Sequence, residues 1–201
     1  MTNALLFIPD ISGFTKFVTH TAIEHSQIII AKLLETIIEE NRLDLEISEI
    51  EGDAILFFKK GEAPDFDELH NQAKTMFEKF HEFLTEMDKK NKDEKLCECE
   101  ACTSVHDLSL KFVAHYGTLQ EVKISSFKKL MGPSVILAHR LLKNNVPSKE
   151  YLLMTDEYLS QQKQNPLKEE NLKLLTKITD EYDEFGEVES KYINFKELPR
   201  A

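Results

Sequence analysis

The stretch DLEISEIEGDAILFF, residues 44–58, decides the fold. Its first half alternates apolar and polar residues, the period of a half-buried strand. Glu51-Gly52 reads as a tight turn, and Ala54 to Phe58 returns as an apolar strand. Residues 44–59 therefore predict a β-hairpin, and a tight hairpin pairs its strands antiparallel. Asp53 lies in the turn. One reading is local: Gly supplies the turn geometry and Asp tolerates it. The other is chemical, a carboxylate presented at the end of a buried strand.

Upstream, FIPDISGFTKF (residues 7–17) raises the same choice. An apolar strand over residues 3–9 leads into Asp10, an Ile-Ser-Gly turn follows, and a helix begins. Asp10 or Ser12 can cap that helix. Alternatively Asp10 is a metal ligand beside a cradle of amides at Gly13, Phe14 and Thr15. If the first strand pairs with the hairpin, Asp10 and Asp53 converge. Two carboxylates at one end of a sheet suit Mg²⁺ or Mn²⁺ with a triphosphate.

Further along, residues 23–41 and 66–92 carry apolar side chains at helical spacing. Residues 108–116 and 120–126 read as strands joined near Gly117. Gly132-Pro133 opens a helix reaching about Asn144, with Pro in its first turn. Residues 151–154 form a short strand, Thr155 can cap the helix after it, and the acidic remainder adds a hairpin through Phe195. Helices and strands alternate, yet two hairpins demand antiparallel pairing. The expectation is an α+β fold with helices on one face of the sheet, not a doubly wound parallel one. Residues 1–165 form the main domain, and 166–201 an extension packing on it.

Composition narrows the function. The 201 residues are 41% hydrophobic and 30% charged, with a formal net charge of -11 and no basic block. Nucleic acid and anionic membrane surfaces are therefore not expected partners. No apolar run reaches the roughly 20 residues of a spanning helix. The start, MTNALLFIPD, has neither a positive n-region nor a cleavage site. A cytoplasmic location is expected, with the three cysteines as thiols.

In LMGPSVILAHRLLKN, residues 130–144, Val135, Ala138 and Leu142 share one helix face, and Ile136 and Arg140 another. Arg140 is either a surface ion-pair partner or a guanidinium aimed at phosphate.

Taken in order, FIPDISGFT, EIEGDAILFF, LKFVAHYG and GPSVILAHRL resemble the signature segments of class III nucleotide cyclase catalytic domains, the adenylate and guanylate cyclases. The likeness spans roughly residues 3–160 and points to a divergent bacterial branch. It implies a ferredoxin-like antiparallel sheet and a head-to-tail homodimer with sites at the interface. By the same resemblance, Asp10, Asp53 and the carbonyl of Ile11 would hold two Mg²⁺ or Mn²⁺ ions. Arg140 would be the catalytic cation, and Glu49 and Lys129 would occupy the base-reading positions. The substrate would be a nucleoside triphosphate and the product a 3′,5′-cyclic nucleotide. Two departures stand out. Ile136 holds the place of the family's asparagine, and Lys129, opposite a Glu49 of the guanylate type, fits neither the adenylate nor the guanylate pattern and can pair internally with Glu49. The alternatives are thus a divergent cyclase, a catalytically impaired nucleotide-binding homodimer, and a structural protein on the same scaffold.

The segment LCECEACTSVH, residues 96–106, lies outside that pattern. Cys97, Cys99 and Cys102 crowd within six residues, with His106 four further on. Such thiol density suits zinc, although the usual paired Cys-x2-Cys is absent, and three incidental thiols are the alternative.

Overall fold

A computed structural model describes residues 1–21, 23–94, 104–162 and 167–197. Strand β1 (Thr2–Ser12) is flanked on both sides, by β3 (Ala54–Lys60) and by β4 (Ser109–Ile124), each antiparallel. Strand β2 (Glu46–Glu51) closes the expected hairpin on β3. Beyond β4, β6 (Tyr151–Thr155) pairs in parallel, then β8 (Gly186–Asn194) and β7 (Thr176–Tyr182) follow antiparallel. The order is β2-β3-β1-β4-β6-β8-β7, with β5 (Phe127–Met131) paired to the far end of β4. The fold is α+β, as expected, but the sheet is mixed and not wholly antiparallel, because the helical connection after β5 returns β6 parallel to β4.

The helices follow the pleat of β1. Leu5, Phe7 and Ile11 point into one cluster with the apolar stripes of α2 (Ile23–Glu39) and α3 (Phe66–Glu94). Ala4, Leu6 and Ile8 point the other way, against Val135 and Ala138 of α4 (Pro133–Arg140). A strand buried on both faces reads as a continuous apolar run, which is what ALLFI is. The two long helices share one face and α4 packs on the other, so the helices are not confined to one face as expected; β1 is apolar on both sides and needs cover on both. Short helices α1 (Phe14–His20), α5 (Asp156–Leu159) and α6 (Glu169–Leu174) complete the set. The Thr155 hydroxyl accepts from the Tyr158 amide and caps α5, as expected.

Three local readings change. First, β1 does not stop before Asp10 but runs on to Ser12, because β4 pairs with it through Ser12↔Ser109. The turn is Gly13 alone, in the left-handed region at φ 93°. Second, Gly117 joins nothing: β4 is one strand of 16 residues. It pairs with β1 over its first part and with β5 over its last. Third, β2 is an edge strand left largely exposed, Ile47 and Ile50 included, so its alternation marks no half-buried face.

Candidate active site

Asp10 and Asp53 are brought together by pairing. Asp10 lies opposite Ala54 of β3, and the Ile11 amide donates to the Asp53 carbonyl at 3.0 Å. Burial and the neighbouring Asp10 charge push the Asp53 carboxyl up to about 6, against its own backbone amide and the Lys111 ammonium, which pull it down. Two carboxylates held side by side, with one so reluctant to ionise, make a site short of positive charge. Their oxygens, with the Ile11 carbonyl, are the hard donors that Mg²⁺ and Mn²⁺ take. The donor set therefore fits divalent ions.

Lys111, which the motif reading did not single out, lies opposite Asp10 on β4. Its Nζ is 3.0 Å from Asp10 Oδ2, and the side chains are only 17% and 13% exposed. The same ammonium donates to the Leu142 carbonyl at 3.0 Å. A signal was present: a single cation inside the apolar run LKFVAH requires a buried partner.

The capping reading for Asp10 and Ser12 fails, because the cap of α1 is Gly13 and no side chain bonds to it. An added Cβ at Gly13 would lie 3.3 Å from the Asp107 carbonyl. One at Gly52 would lie 3.6 Å from the Phe14 ring. These approaches seat Phe14 and Thr15, the first turn of α1, over the hairpin turn that carries Asp53.

The two base-reading positions meet along β2 of the same hairpin. Glu49 Oε2 is 3.6 Å from Lys129 Nζ, and Glu49 Oε1 is 3.5 Å from His139 Nε2. The internal pairing foreseen for Glu49 and Lys129 is present, and His139 joins it from α4. Arg140, one residue on, donates from its Nη2 to Glu184 Oε1 at 2.9 Å, with both side chains about half exposed. Ile136 on the same helix is exposed. Arg140 thus has its carboxylate partner within the chain, in the turn between β7 and β8.

The zinc reading of Cys97, Cys99 and Cys102 lies outside the described residues. His106 is described: it sits in a single 3-10 turn, Val105–Asp107, with Nε2 3.6 Å from the Asp107 carboxylate. Among the described residues no group of three or more His, Cys, Asp or Glu side chains converges on a metal position. None of the described helices is long and apolar enough to cross a membrane.

The fold is that of the class III nucleotide cyclase catalytic domains. The catalytic core of a rhodopsin-guanylyl cyclase with converted specificity, solved in complex with ATPalphaS, superposes with a TM-score of 0.65 at 17% identity, covering 96% of each chain. The adenylyl cyclase CyaB from P. aeruginosa gives 0.61 at 14% identity, covering 100% of this chain and 97% of its own. The guanylate cyclase domain of RhGC from Catenaria anguillulae, in complex with GTP, gives 0.59 at 16% identity and 96% coverage of both. By sequence, the chain belongs to the family described as protein of unknown function (DUF2652), whose model matches residues 30–151. It is 34% identical over 173 residues to the uncharacterized protein Rv2561/Rv2562 of Mycobacterium tuberculosis, covering 85% of this chain and 76% of that one.

Proposed function

We propose that the protein is a divergent class III nucleotide cyclase that converts a nucleoside triphosphate to a 3′,5′-cyclic nucleotide and pyrophosphate. The observation that carries this is the Asp10–Asp53 pair, two carboxylates that the single Lys111 ammonium only partly neutralises, brought together on a cyclase fold by the pairing of β1 with β3. Asp10, Asp53 and the Ile11 carbonyl would hold two Mg²⁺ or Mn²⁺ ions. Bound there, the ions would neutralise the triphosphate and acidify the attacking hydroxyl. In the reaction the O3′–Pα bond forms and the bond from Pα to the bridging oxygen breaks. Pyrophosphate leaves with the electron pair, and the hydroxyl proton passes to water. Phe14 and Thr15 offer amides beside the phosphates. Arg140 of a second copy would stabilise charge developing on them.

That role for Arg140 requires a homodimer. Exposed apolar side chains support one: Ile124 and Phe127 at the β4–β5 hairpin tip, Met131 on β5 and Ile136 on α4. Exposed large apolar side chains grouped on neighbouring elements are a common mark of an interface. Residues 1–165 would be the cyclase unit, and 166–201 an extension that adds β7 and β8 to its sheet.

A second reading is favoured by the helix α4 side of the site. Glu49 is engaged by Lys129 and His139, Arg140 by Glu184, and Ile136 has no polar atom to offer. These features suit a nucleotide-binding homodimer with impaired turnover. One experiment separates the readings: thermal shift with ATP and GTP, each with Mn²⁺ and with Mg²⁺, run beside an assay for cyclic product. Product that disappears in Asp10→Ala establishes the cyclase. Asp10-dependent stabilisation without product establishes the binding module. Neither effect in a folded dimer refutes both.

A further inference from the structure

We propose that Lys111 is an internal cation that competes with divalent metal for Asp10, and so sets the metal concentration at which the site fills. The inference rests on the metal reading of Asp10 and Asp53 given above. Its basis is geometric. The Lys111 ammonium lies 3.0 Å from Asp10 Oδ2 at a depth where both side chains are mostly screened from water. A charged hydrogen bond at that depth is much stronger than one on the surface. The ammonium stands where positive charge must go when a metal meets Asp10.

Its second anchor is well fixed. Leu142 lies just past the end of α4, in a segment pinned from several sides. Asn144 Nδ2 donates to the Leu141 carbonyl and to the Tyr151 hydroxyl. Asn145 donates to Asp180 through both its backbone and its side chain, and the Tyr182 hydroxyl donates to the Lys143 carbonyl. Lys111 can therefore let go of Asp10 and remain tethered at the Leu142 carbonyl, rather than lose every partner. A divalent ion at Asp10 repels the ammonium, so the two occupy that carboxylate in alternation. One ammonium also leaves one of the two carboxylates uncompensated, so the site keeps its attraction for metal while the lysine is in place.

Lys111→Met keeps the apolar stem and removes the charge. Lys111→Gln removes the charge but keeps two N–H donors on the side chain, and guards against a folding defect in the first variant. Lys111→Arg keeps the charge. Mn²⁺ is titrated into each full-length variant, with free Mn²⁺ read by its paramagnetic resonance signal and the melting temperature read in parallel. Lys111→Met and Lys111→Gln bind Mn²⁺ about tenfold more tightly than wild type, and Lys111→Arg binds within about twofold of it. The melting temperature of the uncharged variants falls without metal and recovers when Mn²⁺ saturates. If Lys111 serves only as structural support, its variants lose the same melting temperature with and without Mn²⁺ and bind the ion as wild type does, and the proposal is overturned. Loss of Mn²⁺ binding in Asp10→Asn and Asp53→Asn, with unchanged affinity in the Lys111 variants, refutes this inference and leaves the metal site standing. No Mn²⁺ binding in wild type or any variant refutes both.

Discussion

Asp53→Asn should make the metal-free protein more stable, which is the reverse of what a buried polar substitution usually does. In the folded chain, burial and Asp10 raise the Asp53 carboxyl from 3.8 to about 6. The folded state therefore holds the proton more tightly than the unfolded one. Stability falls as pH rises from near 4 to near 6, and the cost is complete above that window. A rise of about two pH units corresponds to about 3 kcal/mol. Asp53 is only half-buried, so solvent screening brings this to about 1.5 kcal/mol. For a chain of this size that is a gain of about 3–6 °C in melting temperature. Asparagine has the same shape and can still accept from the backbone amide that Asp53 uses. Melting is followed by calorimetry in a chelator at pH 7.5 and at pH 4. The gain should appear at pH 7.5 and largely disappear at pH 4, where Asp53 is protonated in the fold and roughly half protonated in the unfolded chain. An equal gain over wild type at both pH values, or a loss at pH 7.5, would refute the idea that burial and Asp10 disfavour the Asp53 charge. A site that destabilises its own fold is characteristic of function retained at a cost in stability.

Other expectations follow from neighbouring side chains. Ile136→Asn supplies the donor missing from α4, so cyclic-nucleotide formation should rise by up to a few hundred-fold in a product assay. Arg140→Ala should lower the melting temperature by less than about 2 °C, since its pair with Glu184 is exposed, yet should remove any turnover. His70, whose Nε2 is buried without a hydrogen-bond partner, is held below its usual range mainly by burial, with Lys74 adding to the effect. Its neutral form is favoured in the fold, so its contribution is full above the unfolded value of about 6.5 and is lost as pH falls below it. His70→Phe, set against Phe66 and Phe195, should flatten that acid-side loss in a melting series from pH 7.5 to pH 5.

The parts legible in the sequence were those written in period and turn chemistry. The hairpin at Gly52-Asp53, the apolar run of β1 and the stripes of α2 and α3 each carry a local signature, and each formed where expected. What escaped were features fixed by partners distant in the chain. β1 runs past Asp10 only because β4 is there to pair with Ser12. FKKLM became β5 although its polar residues signal no strand, because the end of β4 offered it an edge. The same holds for the site. Asp10 and Asp53 could be named from their positions at strand ends and from the family resemblance. Lys111, His139 and Glu184 could not, since each earns its place through a charge brought near by the fold. Lys111 alone left a trace, as a cation in an apolar strand.

The central claim is that Asp10 and Asp53 form a divalent-metal site for a nucleoside triphosphate. The most direct test is anomalous diffraction from crystals grown with Mn²⁺ and a non-hydrolysable triphosphate analogue. Manganese peaks should lie between the Asp10 and Asp53 carboxylates, with the triphosphate against them and the Lys111 ammonium withdrawn from Asp10. Nucleotide bound elsewhere, or an Asp10–Lys111 pair still closed with no manganese beside it, would contradict the account.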